Sequence, residues 1–254
     1  MKHILYIIGI TSLLWGFTAC SDPELQTDEI NESFIAAFSD ERADSLQIDI
    51  TLEWPVKGLA SSVLQNIQQE LSTSILGKAT TESNIRTLIN EFVSDQEKEY
   101  RQSIHEELSF NTQENCDYGI YSWYKMLKGN FLEPYENMQS YLLVTYEYTG
   151  GAHGIDSETG FTFDLTSGNR ISEEDLFING YKPILSELLT QKLPQTVEQD
   201  IYEILFITTI EPNENFYVTP EGITYVYERY EIAPYVCGII EVTIPWNELN
   251  YILK

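Results

Sequence analysis

Alternation is the first pattern along the chain. From Ser45 to Trp54, Leu46, Ile48, Ile50 and Leu52 fall on one side, with Gln47, Asp49, Thr51 and Glu53 on the other. That period of two predicts a half-buried strand, stopped by Pro55. The period then changes. Leu59, Val63, Leu64, Ile67, Leu71 and Ile75 recur every three or four residues, predicting a helix over 59–76 that Gly77 can terminate. A second helix is predicted from Thr81, capped by Thr81 or Ser83, with Ile85, Leu88, Ile89, Phe92, Val93, Tyr100, Ile104 and Leu108 as its stripe. Strands follow at 118–131, 140–148 and 158–165, the middle one apolar on both faces and so central. Glycines at 150, 151 and 154 break the chain between the last two. The second half predicts a short acidic helix at 173–177, a helix at 181–191 and another at 194–204. Strands are expected at 215–218, 223–230 and 236–244, with an irregular crossing at 232–235 and a closing helix at 246–253. Helices cluster and strands come in runs. The expected class is α+β, a mostly antiparallel sheet packed with helices.

The amino terminus carries an address. Lys2 and His3 precede an apolar run from Ile4 to Phe17, too short for a comfortable span and suited to a signal peptide. The run ends in Phe17-Thr18-Ala19-Cys20, which resembles a bacterial lipobox. The resemblance implies removal of residues 1–19 and lipid on Cys20; a plain secretory signal with an incidental cysteine is the alternative. Residues 20–44 are acidic and weak in apolar period, and read as a flexible tether. The expected location is the cell envelope, lipid-anchored to a bacterial membrane, on its periplasmic or outer surface.

Charge excludes one class of partner. The 254 residues hold 14 Lys and Arg against 40 Asp and Glu, a net charge of −26. Such a chain lacks the cations that phosphates require, so nucleic acid is not an expected partner. Hydrophobic residues make up 43%, enough for a substantial core.

The catalytic inventory is thin. There is no CxxC, HExxH, phosphate loop or GxSxG elbow. His105 falls on a polar helix face. His153 sits among glycines near Asp156 and Glu158, and either shapes a turn or contributes to a metal or catalytic site. No cofactor and no enzymatic activity are expected. Cys116 and Cys237 are either a disulfide pair or two buried thiols. Trp54, Trp123 and Tyr121 either stack on sugars or belong to the core.

Three stretches carry a family resemblance. They are Tyr148-Thr149-Gly150-Gly151-Ala152-His153-Gly154, then Phe163-Asp164-Leu165 through Gly168 to Ser172-Glu173-Glu174-Asp175-Leu176-Phe177, and Tyr230-Glu231-Ile232-Ala233-Pro234-Tyr235-Val236-Cys237-Gly238. This order resembles the extracytoplasmic domain of RsiV-type, lysozyme-sensing anti-sigma factors, and the non-catalytic N-terminal module of PdaC-type peptidoglycan deacetylases. The likeness covers about residues 45–254, with 45–149 and 150–254 as two halves of one module. It implies a non-enzymatic binding domain whose partner is a lysozyme-like protein or peptidoglycan. Pro234 and Tyr235 are the expected contact residues, with Gly150, Gly151, His153 and Gly154 as a second candidate. The deacetylase domain of PdaC has no counterpart in this sequence, so its activity does not transfer.

Overall fold

The computed structural model describes residues 25–39, 42–78, 85–110 and 121–254. Cys20 and Cys116 lie outside these, as do the signal segment and the expected caps Thr81 and Ser83.

The first half is built on a five-stranded sheet in sequential order: β1 (Gln26–Ser39), β2 (Arg42–Lys57), β3 (Trp123–Phe131), β4 (Met138–Tyr148) and β5 (Ile155–Asp164). All neighbours are antiparallel except β2 and β3, which pair in parallel from Leu46 against Trp123 to Leu52 against Gly129. A parallel pair needs a long crossover. Here α1 (Ser61–Leu76) and α2 (Ile85–Phe110) provide it. Gly77 ends α1 in the left-handed conformation, φ 70°, as its position predicted. Leu46, Ile48, Ile50, Leu52 and Trp54 are all buried on the helix-facing side, joined by Ile67, Leu71, Ile89, Tyr100, Tyr141 and Phe161.

Two expectations change here. The acidic stretch expected to be a flexible tether is a 14-residue strand from Gln26 to Ser39. Ile30 is buried, and Phe34, Ala36 and Phe38 pack against the same core. The polar residues between them hid this period. Side chains also fasten the strand to α2. Arg86 pairs with Glu32, and Arg101 donates to the carbonyls of Phe38 and Ala37 at 2.9 and 3.0 Å. Pro55 does not stop β2 either. It lies at the register shift opposite Thr27, beyond the last β3 pairing at Leu52, where a missing N–H is tolerated.

The second half builds a smaller antiparallel sheet, β6 (Phe216–Thr219), β7 (Gly222–Tyr227) and β8 (Ile240–Pro245). Helix α3 (Glu173–Leu176) starts with a capping box between Ser172 and Asp175. Helix α4 (Tyr181–Thr196) lays Leu185, Leu189 and Leu193 on this sheet. The helix expected at 194–204 is divided: Pro194 completes the end of α4, and α5 (Gln199–Glu203) is a separate turn. The closing helix is only α6 (Trp246–Leu249).

The two sheets meet where side chains are smallest. On β4 and β5, Tyr141, Leu143, Phe161 and Phe163 face the first core, so Ser140, Gly160 and Thr162 face the other way. Ser140 Oγ lies 3.0 Å from Thr162 Oγ1 and accepts the Val218 N–H at 2.8 Å. A Cβ on Gly160 would stand 2.3 Å from the Phe216 carbonyl oxygen, so only glycine permits this approach. Glu173 is fully buried beneath the second sheet, accepting from Tyr181 Oη at 2.8 Å and Glu214 N at 2.9 Å. Burial pushes its carboxyl above the usual range. Trp54, Trp123 and Tyr121 are all core residues, which removes them as sugar platforms.

Candidate functional site

The β4–β5 turn and the β7–β8 connection are about 80 residues apart in sequence, and the fold places them side by side. In the first, Gly150 and Gly151 have φ of 105° and 89°, a conformation only glycine adopts without strain. Tyr148 Oη donates to the Gly151 carbonyl at 3.0 Å. Gly154 is needed for a different reason: a Cβ there would lie 2.5 Å from the Tyr146 ring. His153 remains exposed.

In the second loop, β7 runs out at Tyr227 and the chain turns through Glu228, Arg229 and Tyr230. Tyr230 has φ 68°, unusual for an aromatic residue, and projects into solvent. Glu231 holds the turn: its carboxylate accepts the Glu228 N–H at 2.8 Å and the Asn213 amide at 2.9 Å. Ile232 and Ala233 dive into the second core. Pro234 then leads a single 3-10 turn, Tyr235–Cys237, where a strand was expected from Val236 onward; β8 begins only at Ile240. Val236, at the crest of that turn, is 80% exposed.

Tyr235 is the hinge between the loops. The His153 ring stacks on it at 4.0 Å, and its hydroxyl donates to the Gly154 carbonyl at 2.7 Å. The Arg229 guanidinium lies over the same ring, 4.4 Å from its centre, and donates to the Tyr235 carbonyl. Arg229 also forms a forked pair with Asp156, one arm measuring 2.9 Å. A planar guanidinium suits both tasks. This pair holds the Asp156 carboxyl below its ordinary value and the guanidinium above its own. Around it the field is acidic. Glu228 accepts from Ser157 Oγ and from the Glu158 N–H, at 2.7 and 2.9 Å. Burial first, then Glu241, Glu228 and Asp156, push the Glu158 carboxyl upward.

The six candidates from the sequence, Pro234, Tyr235, Gly150, Gly151, His153 and Gly154, therefore fall in one cluster. Arg229 escaped notice, and Tyr230 stands only at the head of the third motif stretch, not among the expected contact residues. Arg229 had a signal: between Leu193 and Leu253 it is the only cation, against ten carboxylates. The exposed, positive-φ conformation of Tyr230 is not written in any pattern. Among the described residues no three His, Cys, Asp or Glu are grouped to hold a metal. Cys237 packs against the second core. Its suggested partner lies outside the described residues. The arrangement offers ordered aromatic and apolar surface with an acidic surround, which suits recognition of another molecule.

Comparison with known proteins finds likenesses over part of the sequence and over most of the fold. Residues 174–247, from α3 to α6, match the family described as "Protein of unknown function (DUF3298)". A segment of 82 residues is 27% identical to the anti-sigma-V factor RsiV of Bacillus subtilis (strain 168), covering 29% of each chain. A crystal structure of a DUF3298 family member from Bacteroides fragilis superposes with a TM-score of 0.82 at 26% identity, over 92% of this chain and 95% of that one. A second, from Pseudomonas aeruginosa, gives 0.63 at 18% identity over 92% and 96%, and shares the fold. Among the described residues no helix is long and apolar enough to cross a membrane. The fold, the local match at α3 to α6 and the likeness to RsiV agree: the chain shares the fold of solved DUF3298 proteins, matches that family over residues 174–247, and resembles RsiV over less than a third of either chain.

Proposed function

We propose that this protein is a non-enzymatic binding module of the cell envelope that captures a basic, lysozyme-like hydrolase. The observation that carries the reading is the convergence of the two motif loops around Tyr235 into one surface, where exposed Ile155, Tyr230 and Val236 stand among carboxylates. Apolar contact gives such a complex its lifetime, and an acidic surround steers a cationic partner toward it. The RsiV likeness points to the same partner class. Lipid on Cys20 would hold the module at a membrane; incorporation of labelled fatty acid by a Cys20→Ala variant would refute that attachment.

The test is binding of the full chain to basic lysozymes at low and physiological salt, with lytic activity read alongside. Expected is binding that persists at physiological salt and suppresses lysis, weakened by Tyr235→Ala. Binding confined to low salt would reduce the effect to bulk charge. No binding at either salt would overturn the proposal. A peptidoglycan-binding reading draws on one feature, the exposed Tyr230 ring 5.8 Å from Tyr235. Protein left wholly in the supernatant of insoluble peptidoglycan would dispose of it.

A further inference from the structure

The motif loops do not account for all the apolar surface at this end of the molecule. Just after α5 the chain reads Ile204-Leu205-Phe206-Ile207, and Ile204, Phe206 and Ile207 are exposed, Phe206 at 55%. Three exposed apolar residues of this size within four positions are uncommon on a monomer's surface and mark contact sites. Scattered single residues would need no explanation. The segment is not a loose tip. The Phe206 N–H donates to the Ile232 carbonyl at 2.9 Å, Leu205 packs into the second core, and Ile210 is fully buried. Through Ile232 it abuts the loop that presents Tyr230 and Val236.

The surround is of one sign. From Leu193 to Leu253 the ten carboxylates include Glu203 and Glu211, which flank the segment in sequence, and Glu228 and Glu231, which flank Tyr230. Arg229, the one cation, is already paired with Asp156. A second copy of this chain would bring carboxylates against carboxylates, at a net charge of −26 each. An anionic lipid surface would be repelled likewise. The occupant that complements both features is a basic protein with an apolar contact surface.

Building on the proposed function, we infer that Ile204, Phe206 and Ile207 form, with Tyr230 and Val236, the apolar centre of the partner interface, and that the 204–207 segment is a docking element in its own right. Tyr235 and Arg229 then serve as positioning residues that hold the neighbouring loop, while Phe206 and Tyr230 touch the partner. Hot spots cluster in the centre of an interface and favour aromatic residues, so removing them costs more than removing rim charges.

The experiment uses the full chain and a basic lysozyme at physiological salt. The double variant Phe206→Ser with Ile207→Ser is compared with wild type, and Phe206→Leu serves as the conservative variant. Because both positions are exposed, thermal unfolding of the double variant should match wild type. Expected is a loss of affinity of roughly tenfold or more in the double variant, mostly in dissociation rate. Phe206→Leu should retain most of the affinity. A double variant that is folded and binds as wild type does, while Tyr230→Ala loses affinity, would overturn the inference and leave the functional proposal standing. A wild type that binds no lysozyme would overturn both. A double variant with a lowered melting temperature and Phe206→Leu equally weakened would assign the segment to structure instead, again overturning the inference.

Discussion

At the scale of single residues, glycines carry several of the constraints in this molecule, and they do so for two physical reasons. Gly151 needs positive φ but has open space around it, whereas Gly160 has a constrained surround and no such backbone demand. A methyl at 160 would collide with the Phe216 carbonyl, which cannot retreat without separating the two sheets. Gly160→Ala should therefore destabilise by about 1–3 kcal/mol as an overpacked contact. Gly151→Ala should cost about 1 kcal/mol, from backbone strain alone. Thermal unfolding of both variants checks the order; equal melting temperatures would show that the sheets can part freely. His153→Ala, at an exposed position, should disturb the fold less than either. Asp156 gives a pH dependence with a definite sign. Its carboxyl is held below the ordinary 3.8 by Arg229, so the pair stabilises the folded state above that value. That contribution is lost as pH falls through the lowered folded value. Asp156→Asn should thus lower the melting temperature at neutral pH, with the gap closing as pH falls through that lowered folded value. A gap that persists in acid would show that the ion pair is not its cause.

Elements were legible where one period ran unmixed. β2 could be read from Leu46 to Leu52, and α1 from its stripe and its terminal glycine, because each buries a single face. β1 could not. Its inward positions, Ile30 buried and Phe34 and Phe38 partly so, are interrupted by Glu32 at one inward site, and Arg86 compensates that charge from another element. Sequence reasoning sees the carboxylate and not the arginine brought to it by α2. β8 was placed too early for a related reason: Val236 looks like a strand residue, yet the 3-10 turn lifts it into solvent. The structure also says where this protein should not be cut. A chain starting at residue 41 lacks β1 and uncovers the β2 edge together with the apolar surface beneath Ile30, Phe34 and Phe38. Burial of those side chains is worth on the order of 5 kcal/mol. Such a truncation should melt well below the intact chain or aggregate. An unchanged melting temperature would mean that β1 contributes pairing without stability.

On the scale of the whole molecule, the α+β class and the antiparallel tendency followed from helices that cluster and strands that run together. The stacking of the two sheets did not, since it depends on Ser140, Gly160 and Thr162, small residues with no hydrophobic signature. The candidate site was half legible. Motif loops could be named, but their meeting rests on the sheets' relative placement, and the Ile204–Ile207 segment reads like an ordinary buried run until its exposure is known. The acidic balance was plain from the start, and at this scale its meaning is an exclusion: it disfavours self-association and nucleic acid while leaving basic proteins free to approach.

The parallel pairing of β2 with β3 has a consequence in time. Asp44 meets the Tyr121 N–H across 77 positions of chain. That ladder cannot close until both crossover helices have been gathered in. By contrast, β6, β7 and β8 follow one another closely, with a tight turn at Thr219–Gly222. Distant pairings slow folding, because chain entropy is lost before contacts reward it. The larger sheet is then the late step, and the smaller one assembles early. Because Tyr235 and Arg229 bridge the two, their contacts form last. Substitutions there should speed unfolding and leave refolding nearly unchanged.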